Sequence, residues 1–303
     1  MEVFGGYDAV ETGIAMQGLD AWVYGRPWKG DRAGGDVHYL SSCATGRIAR
    51  MLIADVSGHG LEAADAAHQL RGLMRRYVNH FDQRRVAGAI NRSFVRSSAT
   101  GTFATAILAT FWTPTDEIDL TLAGHPAPLL YRADEARWRI WPDAETASGL
   151  PFGIDEDVAY ARRRLRLGPR DMLLLCTDGL LEAGANRREM LGVEGVLSIL
   201  ERLNPERPEA LLGAMVEGVR MRFGALPDDD LTLLLLRPNA AKPKITLARG
   251  VSTGWRIARE VVRSALGRGG PAPLPEVTVR NVAGAFVASP NSTRKSDTGT
   301  TGA

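Results

Sequence analysis

The chain has 303 residues, 45% of them hydrophobic and 24% charged, with a formal net charge of +2. That is enough for one large core, or a core with a small appendage, and it excludes a wholly disordered chain. No apolar run reaches the ~20 residues of a membrane helix, and the start, MEVFGGYDAVE, is acidic where a secretory leader would be basic and then apolar, so the expected location is the cytoplasm.

The first predicted strand covers residues 21–25. Residues 37–43 and 48–54 follow as a hairpin around Ala44-Thr45-Gly46-Arg47, the second arm almost wholly apolar, as suits a strand covered on both faces. Gly60 opens a helix in which Leu70, Leu73, Met74, Tyr77, Val78 and Phe81 repeat at helical spacing. A second helix is predicted over 85–95. Strands at 103–112 and 118–123 are divided by the turn signal Thr-Pro-Thr-Asp-Glu, and 129–132 with 137–141 form another pair. Residues 158–165 alternate as an exposed, arginine-rich strand, and 171–177 read as a buried one. Helices are expected over 193–203 and 208–222, the second with Pro208 in its first turn, before a last strand at 231–236.

Strands joined by short turns imply antiparallel sheets, and helices that come in pairs argue against alternating βαβ units. The expected class is α+β: an α-β-β-α sandwich of two antiparallel sheets flanked by helix pairs. The expected boundary falls at 238, with a main domain over 1–238 and a basic extension over 239–303. Residues 240–303 hold ten Lys/Arg and three Asp/Glu, leaving 27 basic and 32 acidic residues for 1–239. A short helix is predicted near 255–266, followed by a Gly/Pro-rich and then a polar, disordered composition. No nucleic-acid partner is expected. The only cysteines, Cys43 and Cys176, lie in strand-like apolar runs and read as two buried thiols.

Aspartates stand in four places at a strand end or tight turn: Gly34-Gly35-Asp36, Asp55-Val56-Ser57-Gly58-His59-Gly60, Thr177-Asp178-Gly179 and Asp228-Asp229-Asp230. Neighbouring glycines let the backbone turn sharply and approach a ligand closely. Carboxylates gathered in one place repel unless a cation lies between them, and hard cations prefer oxygen donors. Each motif alone is an ordinary solvated turn; the combination points to a metal site.

In order and context, AGGDVHY, IADVSGHG, GTFATAIL, LAGHPAPLLYR, LPFGI, LLLCTDGLLEA and DDDLTLLLLR resemble the PP2C-type (PPM) metal-dependent phosphatases, in their bacterial SpoIIE/RsbU-like branch. The resemblance runs from about residue 18 to 237. It implies a protein serine/threonine phosphatase holding two divalent cations, Mn²⁺ or Mg²⁺. By the same resemblance Asp55 bridges the two ions and the Val56 carbonyl is a further ligand. Asp178 and Asp229 hold one ion, and Asp36 the other, directly or through water. Asp55 and Asp36 are thereby the expected catalytic residues. The implied partner is a phosphorylated protein, often an antagonist of an anti-sigma factor. Two positions depart from the pattern. Tyr39 stands where many relatives have a second acid, and Ser57 where eukaryotic members have a histidine. The general acid is left open: His59 is nearby but reads first as a turn-stabilising or exposed residue, and His125 reads as structural and remote from the metals.

Two divalent ions lower the pKa of a shared water and screen a phosphoryl group, so no covalent intermediate is required. Other chemistries lack their residues. Neither cysteine begins a C-x₅-R loop, no Asp-x-Asp follows the first predicted strand, and residues 30–35 lack the Lys-Ser/Thr ending of a phosphate loop. The alternative from another class is a catalytically weak or inactive PP2C-like regulatory or binding module.

Overall fold

The structure, a computed structural model, describes residues 2–28, 34–43, 45–58, 60–80, 82–142, 148–184 and 189–242. The predicted helix near 255–266 and all of the extension from 243 on lie outside the described residues, as does His59. Chain order begins with five strands, β1 (Glu2–Gly6), β2 (Val10–Met16), β3 (Leu19–Arg26), β4 (Val37–Ser42) and β5 (Ile48–Val56). Helices α1 (Gly60–Tyr77) and α2 (Gln83–Ser97) follow, then strands β6 (Ala104–Trp112), β7 (Glu117–Ala123), β8 (Leu129–Arg132), β9 (Arg137–Ile140), β10 (Arg163–Arg166) and β11 (Met172–Cys176). The chain continues with α3 (Asp178–Leu181), α4 (Gly192–Leu200), α5 (Pro208–Phe223) and β12 (Leu231–Pro238).

Two six-stranded antiparallel sheets result, ordered β1-β4-β5-β6-β7-β10 and β2-β3-β12-β11-β8-β9. Strand periodicity divides their side chains between two faces. Met51, Ile53, Ile107, Phe111, Leu173, Leu175 and Leu234 fill the layer between the sheets. Their alternates Leu52, Ala54, Ala106 and Leu108 pack with Ala67, Leu70 and Met74 of α1 and Ile90 and Phe94 of α2. Leu174, Leu233 and Leu235 likewise pack with Val196 and Leu200 of α4 and Leu211 and Met215 of α5. The expected α-β-β-α sandwich is therefore present. Both faces of β5, β6, β11 and β12 are covered, which is why these strands read as continuous apolar runs.

Helix ends follow local chemistry. The Asp82 side chain caps α2 by accepting from the Arg84 N–H, and α5 begins on Pro208 and ends on Gly224 in the left-handed region. Three local expectations are corrected. First, β1 and β2 precede the first predicted strand, with β1 pairing with β4 and β2 with β3. Second, the arginine strand is only Arg163–Arg166, and it is not simply solvated. Arg164 lies opposite Asp119, which is 1% exposed, and donates to both of its carboxylate oxygens at 2.7 and 2.9 Å, while Trp112 Nε1 donates at 2.9 Å. A buried carboxylate needs such partners, so the charge pattern of β10 serves the interior of the sheet edge. Third, both cysteines are free as expected, but Cys43 is only partly buried.

Residues 239–242 are held to the body. The Asn239 side chain donates to the Met16 carbonyl at 3.0 Å and to Asp20 at 2.7 Å, clamping the β2–β3 hairpin. Lys242 Nζ donates to the Thr113 carbonyl at 2.9 Å and pairs with Asp116. Among the described residues no helix is long and apolar enough to cross a membrane.

Candidate metal centre

The four acidic motifs meet at one end of the sandwich. Asp36 immediately precedes β4, Asp55 is the penultimate residue of β5, Asp178 opens α3 just after β11, and Asp229 precedes β12. Asp55 shares strand parity with Met51 and Ile53, so it faces the layer between the sheets at the point where that layer runs out.

Hydrogen bonds tie the two sheets together here. Thr177, fully buried, donates its hydroxyl to Asp36 Oδ2 at 2.8 Å and accepts from the Thr232 N–H at 3.0 Å. Asp230 accepts from the Gly35 N–H at 2.6 Å and the Trp28 N–H at 2.5 Å. Asp230 thus anchors the loop that carries Asp36, while the adjacent Asp229 stands at the surface. The glycines beside the acids allow close approach. A Cβ on Gly35 would lie 2.8 Å from the Val56 carbonyl oxygen, and one on Gly179 would lie 2.0 Å from the Asp230 carbonyl oxygen.

The electrostatics are those of crowded, partly desolvated carboxylates. Burial, and then the charge of Asp55, raises the pKa of Asp36 well above the carboxylate range, against the opposing bond from Thr177. Asp55 is pushed up to about 7, by burial first and then by Asp178, Asp229, Asp230 and Glu182. Asp178 is raised by burial and Glu182. Asp229 is raised too. Although it stands at the surface, partial desolvation is the largest cause, ahead of the Asp178 and Asp230 charges.

Among the described residues, no three His, Cys, Asp or Glu side chains already close around one point as a metal-holding group. The donor chemistry nevertheless fits a hard cation. Asp36 Oδ1 is buried without a hydrogen-bond partner, an arrangement that costs free energy unless something positive meets it. The carboxylates that repel one another are also the groups whose ionised forms a cation would favour.

The two departures from the family pattern have structural explanations. Tyr39 is buried among residues of the α1 and α2 layer, on the face of β4 away from Asp55. Ser57 is engaged in structure. Its hydroxyl oxygen accepts from the Phe103 N–H at 3.0 Å, and its own N–H donates to the Phe103 carbonyl at 2.9 Å. His125, which the sequence places remote from the metals, is buried with Nδ1 2.9 Å from the Thr105 hydroxyl, and Thr105 is the cross-strand partner of Asp55. Burial alone pushes the His125 imidazole down to about 3, so it is neutral.

Sequence reasoning missed Thr177, Thr232 and the anchoring role of Asp230. A threonine closing an otherwise apolar strand just before an acid, as in Leu-Leu-Leu-Cys-Thr-Asp, was the available signal.

Two packed antiparallel sheets with helices on both outer faces match the fold of PP2C-type phosphatases. A family model described as Stage II sporulation protein E (SpoIIE) matches residues 45–239, and the chain belongs to this family of PP2C-like phosphatase domains. The RsbU and RsbW domains of a Mycobacterium tuberculosis protein superpose with a TM-score of 0.61 at 21% identity, over 84% of this chain and 71% of that one. SpoIIE from Bacillus subtilis, as its PP2C phosphatase domain with a fragment of the regulatory domain, gives 0.62 at 17% identity, over 74% and 64%. RsbX in complex with magnesium gives 0.57 at 15% identity, over 76% and 100%.

Proposed function

We propose that this chain is a divalent-metal-dependent protein serine/threonine phosphatase acting on a phosphorylated regulatory protein, such as an antagonist of an anti-sigma factor. The observation that carries the reading is the convergence of Asp36, Asp55, Asp178 and Asp229 from separate strand ends, with pKa values raised by burial and then by neighbouring acids, and an unpartnered buried oxygen on Asp36. Two ions, Mn²⁺ or Mg²⁺, are the proposed occupants. Asp55 would bridge them, with the Val56 carbonyl beside it, Asp178 and Asp229 on one ion and Asp36 on the other. The magnesium complex of RsbX is consistent with this choice of ion.

When bound, such ions supply Lewis-acid activation of water and neutralise phosphoryl charge. The chain's own residues do the positioning. Thr177 fixes the rotamer of Asp36 through the 2.8 Å bond. Asp230 holds Gly35, and so the Asp36 loop, against β12. Ser57 fastens the turn after Asp55 to Phe103 at the head of β6. Together these bonds preorganise the carboxylates and limit the reorganisation needed at the moment of reaction. An alternative reading, a binding module with little turnover, draws on Tyr39 facing the helices and on Ser57 being engaged with Phe103.

The test is hydrolysis of a phosphoserine peptide and of p-nitrophenyl phosphate by the full chain. Turnover with Mn²⁺ or Mg²⁺ that chelator abolishes is expected. Undiminished turnover in chelator contradicts the metal-dependent reading, and metal binding without turnover selects the binding module.

A further inference from the structure

Three large apolar side chains are exposed on segments that backbone bonds join to the turn after Asp55. Phe103 is 38% exposed, Leu150 49% and Ile154 53%. They are brought together by backbone pairing. Ala104 and Phe152 exchange two hydrogen bonds of 2.8 Å, which sets Phe103 next to the 150–154 segment. Phe103 in turn exchanges two bonds with Ser57, two residues after Asp55. The apolar group is therefore fastened to the turn that leaves the metal-site strand.

Packing does not require these side chains. Phe152, between Leu150 and Ile154, is fully buried with Phe94 and Tyr160, and Asn91 bonds Gly153 and Asp155, so the segment is anchored without its exposed side chains. Gly153, at a positive φ of 96°, turns the chain outward directly after it. Single exposed apolar residues are ordinary, but a group of them at the lip of a polar centre marks a contact surface. Leu61, at the start of α1 four residues after Ser57, is 86% exposed. Charge adds a second constraint. Asp155 and Asp157, directly beyond Ile154, are exposed acids, while Glu156 between them is paired with Arg96.

We infer that Phe103, Leu150 and Ile154 form a docking lip for the phosphoprotein substrate, selecting a bulky apolar residue next to the phosphoserine with a basic residue beyond it. The inference rests on the phosphatase reading of the centre. The occupant follows from position: Phe103 is bonded to Ser57, two residues after Asp55, so a segment presenting its phosphoryl group to Asp36 and Asp55 can lay a flanking residue on the lip. The basic preference follows from complementarity to Asp155 and Asp157, which belong to no metal motif.

The experiment compares two phosphoserine peptides on the full chain with Mn²⁺. One has Leu and Arg flanking the phosphoserine, the other Gly and Arg. Fluorescence anisotropy measures binding, and phosphate release measures turnover. Wild type is expected to favour the Leu/Arg peptide about tenfold, mainly through KM, the effect of burying one large apolar side chain. The double variant Leu150→Ser/Ile154→Ser is expected to lose that preference while its kcat/KM for p-nitrophenyl phosphate is unchanged and its melting temperature stays within a few degrees. No preference in wild type, or a preference that survives in the variant, overturns the inference. A variant that merely converts a dimer to monomers, with its peptide preference intact, overturns it in favour of self-association. If no phosphate is released from any substrate, the phosphatase reading fails, and the anisotropy data alone decide the lip: a preference lost in the variant supports it, and no preference sinks it.

Discussion

Thr177→Val replaces one hydroxyl with a methyl at a fully buried position and keeps the side-chain shape. Two bonds disappear: the 2.8 Å bond donated to Asp36 and the 3.0 Å bond accepted from the Thr232 N–H. A hydrogen bond to a charged group is worth about 1.5–3 kcal/mol, and an unsatisfied buried N–H costs about 1–3 kcal/mol. The first favours ionised Asp36, the form that binds a cation, so its loss acts on metal affinity. At about 1.4 kcal/mol per tenfold, Mn²⁺ binding should weaken roughly 10- to 100-fold. The second loss acts on the fold and should lower the melting temperature of the metal-free protein. Calorimetric titration with Mn²⁺ at pH 7 on variants first shown to be folded reads the first effect directly. Thr177→Ser, which restores the hydroxyl, should recover most of the affinity. A folded Thr177→Val protein that binds Mn²⁺ within twofold of wild type would refute the reasoning that Thr177 orients a metal-binding Asp36.

Other predictions follow from the same coordinates. Asp55, with its pKa pushed up to about 7, and Asp36, Asp178 and Asp229, also raised, bind more protons folded than unfolded. The centre's contribution to metal-free stability should therefore be greatest below the ordinary carboxylate range and fall as pH rises through about 4 to 7, with Mn²⁺ reversing the fall; a melting temperature whose pH profile in that window is the same for wild type and Asp55→Asn would count against the crowded centre. Asp119→Asn should destabilise the fold by about 2 kcal/mol in chemical denaturation. That is less than the 3–5 kcal/mol of a fully buried pair, because Arg164 is partly exposed and keeps Glu117; no loss would mean that the β7–β10 pair is incidental. Truncation after Lys242 should leave a folded protein, and adding Asn239→Ala should then cost about 1 kcal/mol by freeing the β2–β3 hairpin; a truncated chain that does not fold places part of the extension in the core.

The sandwich was legible because its central strands are covered on both faces and its helices carry one apolar stripe each. Residues 129–132 and the Pro208 start of α5 coincide with the prediction. Edge strands were not legible. β1 carries two glycines, and β2 alternates between exposed and partly buried positions up to its buried last residue, Met16, so neither gives a strong apolar signal. The arginine strand was misjudged because a sequence window shows charge but not the buried Asp119 opposite it. The acidic residues were visible as strand-end aspartates, and the structure places Asp36, Asp55, Asp178 and Asp229 at one end of the fold. What pins them was hidden, since Thr177, Thr232 and Asp230 act through long-range bonds that no local pattern encodes.

On the proposed function, Asp55 organises a divalent-cation site. Mn²⁺ titrated calorimetrically into the full chain, wild type and Asp55→Asn, tests it without relying on turnover. Two ions per wild-type chain and at most one weakly held ion in Asp55→Asn are expected, with both proteins folded. Equal stoichiometry and affinity in the two proteins, or no Mn²⁺ binding by wild type, would contradict it.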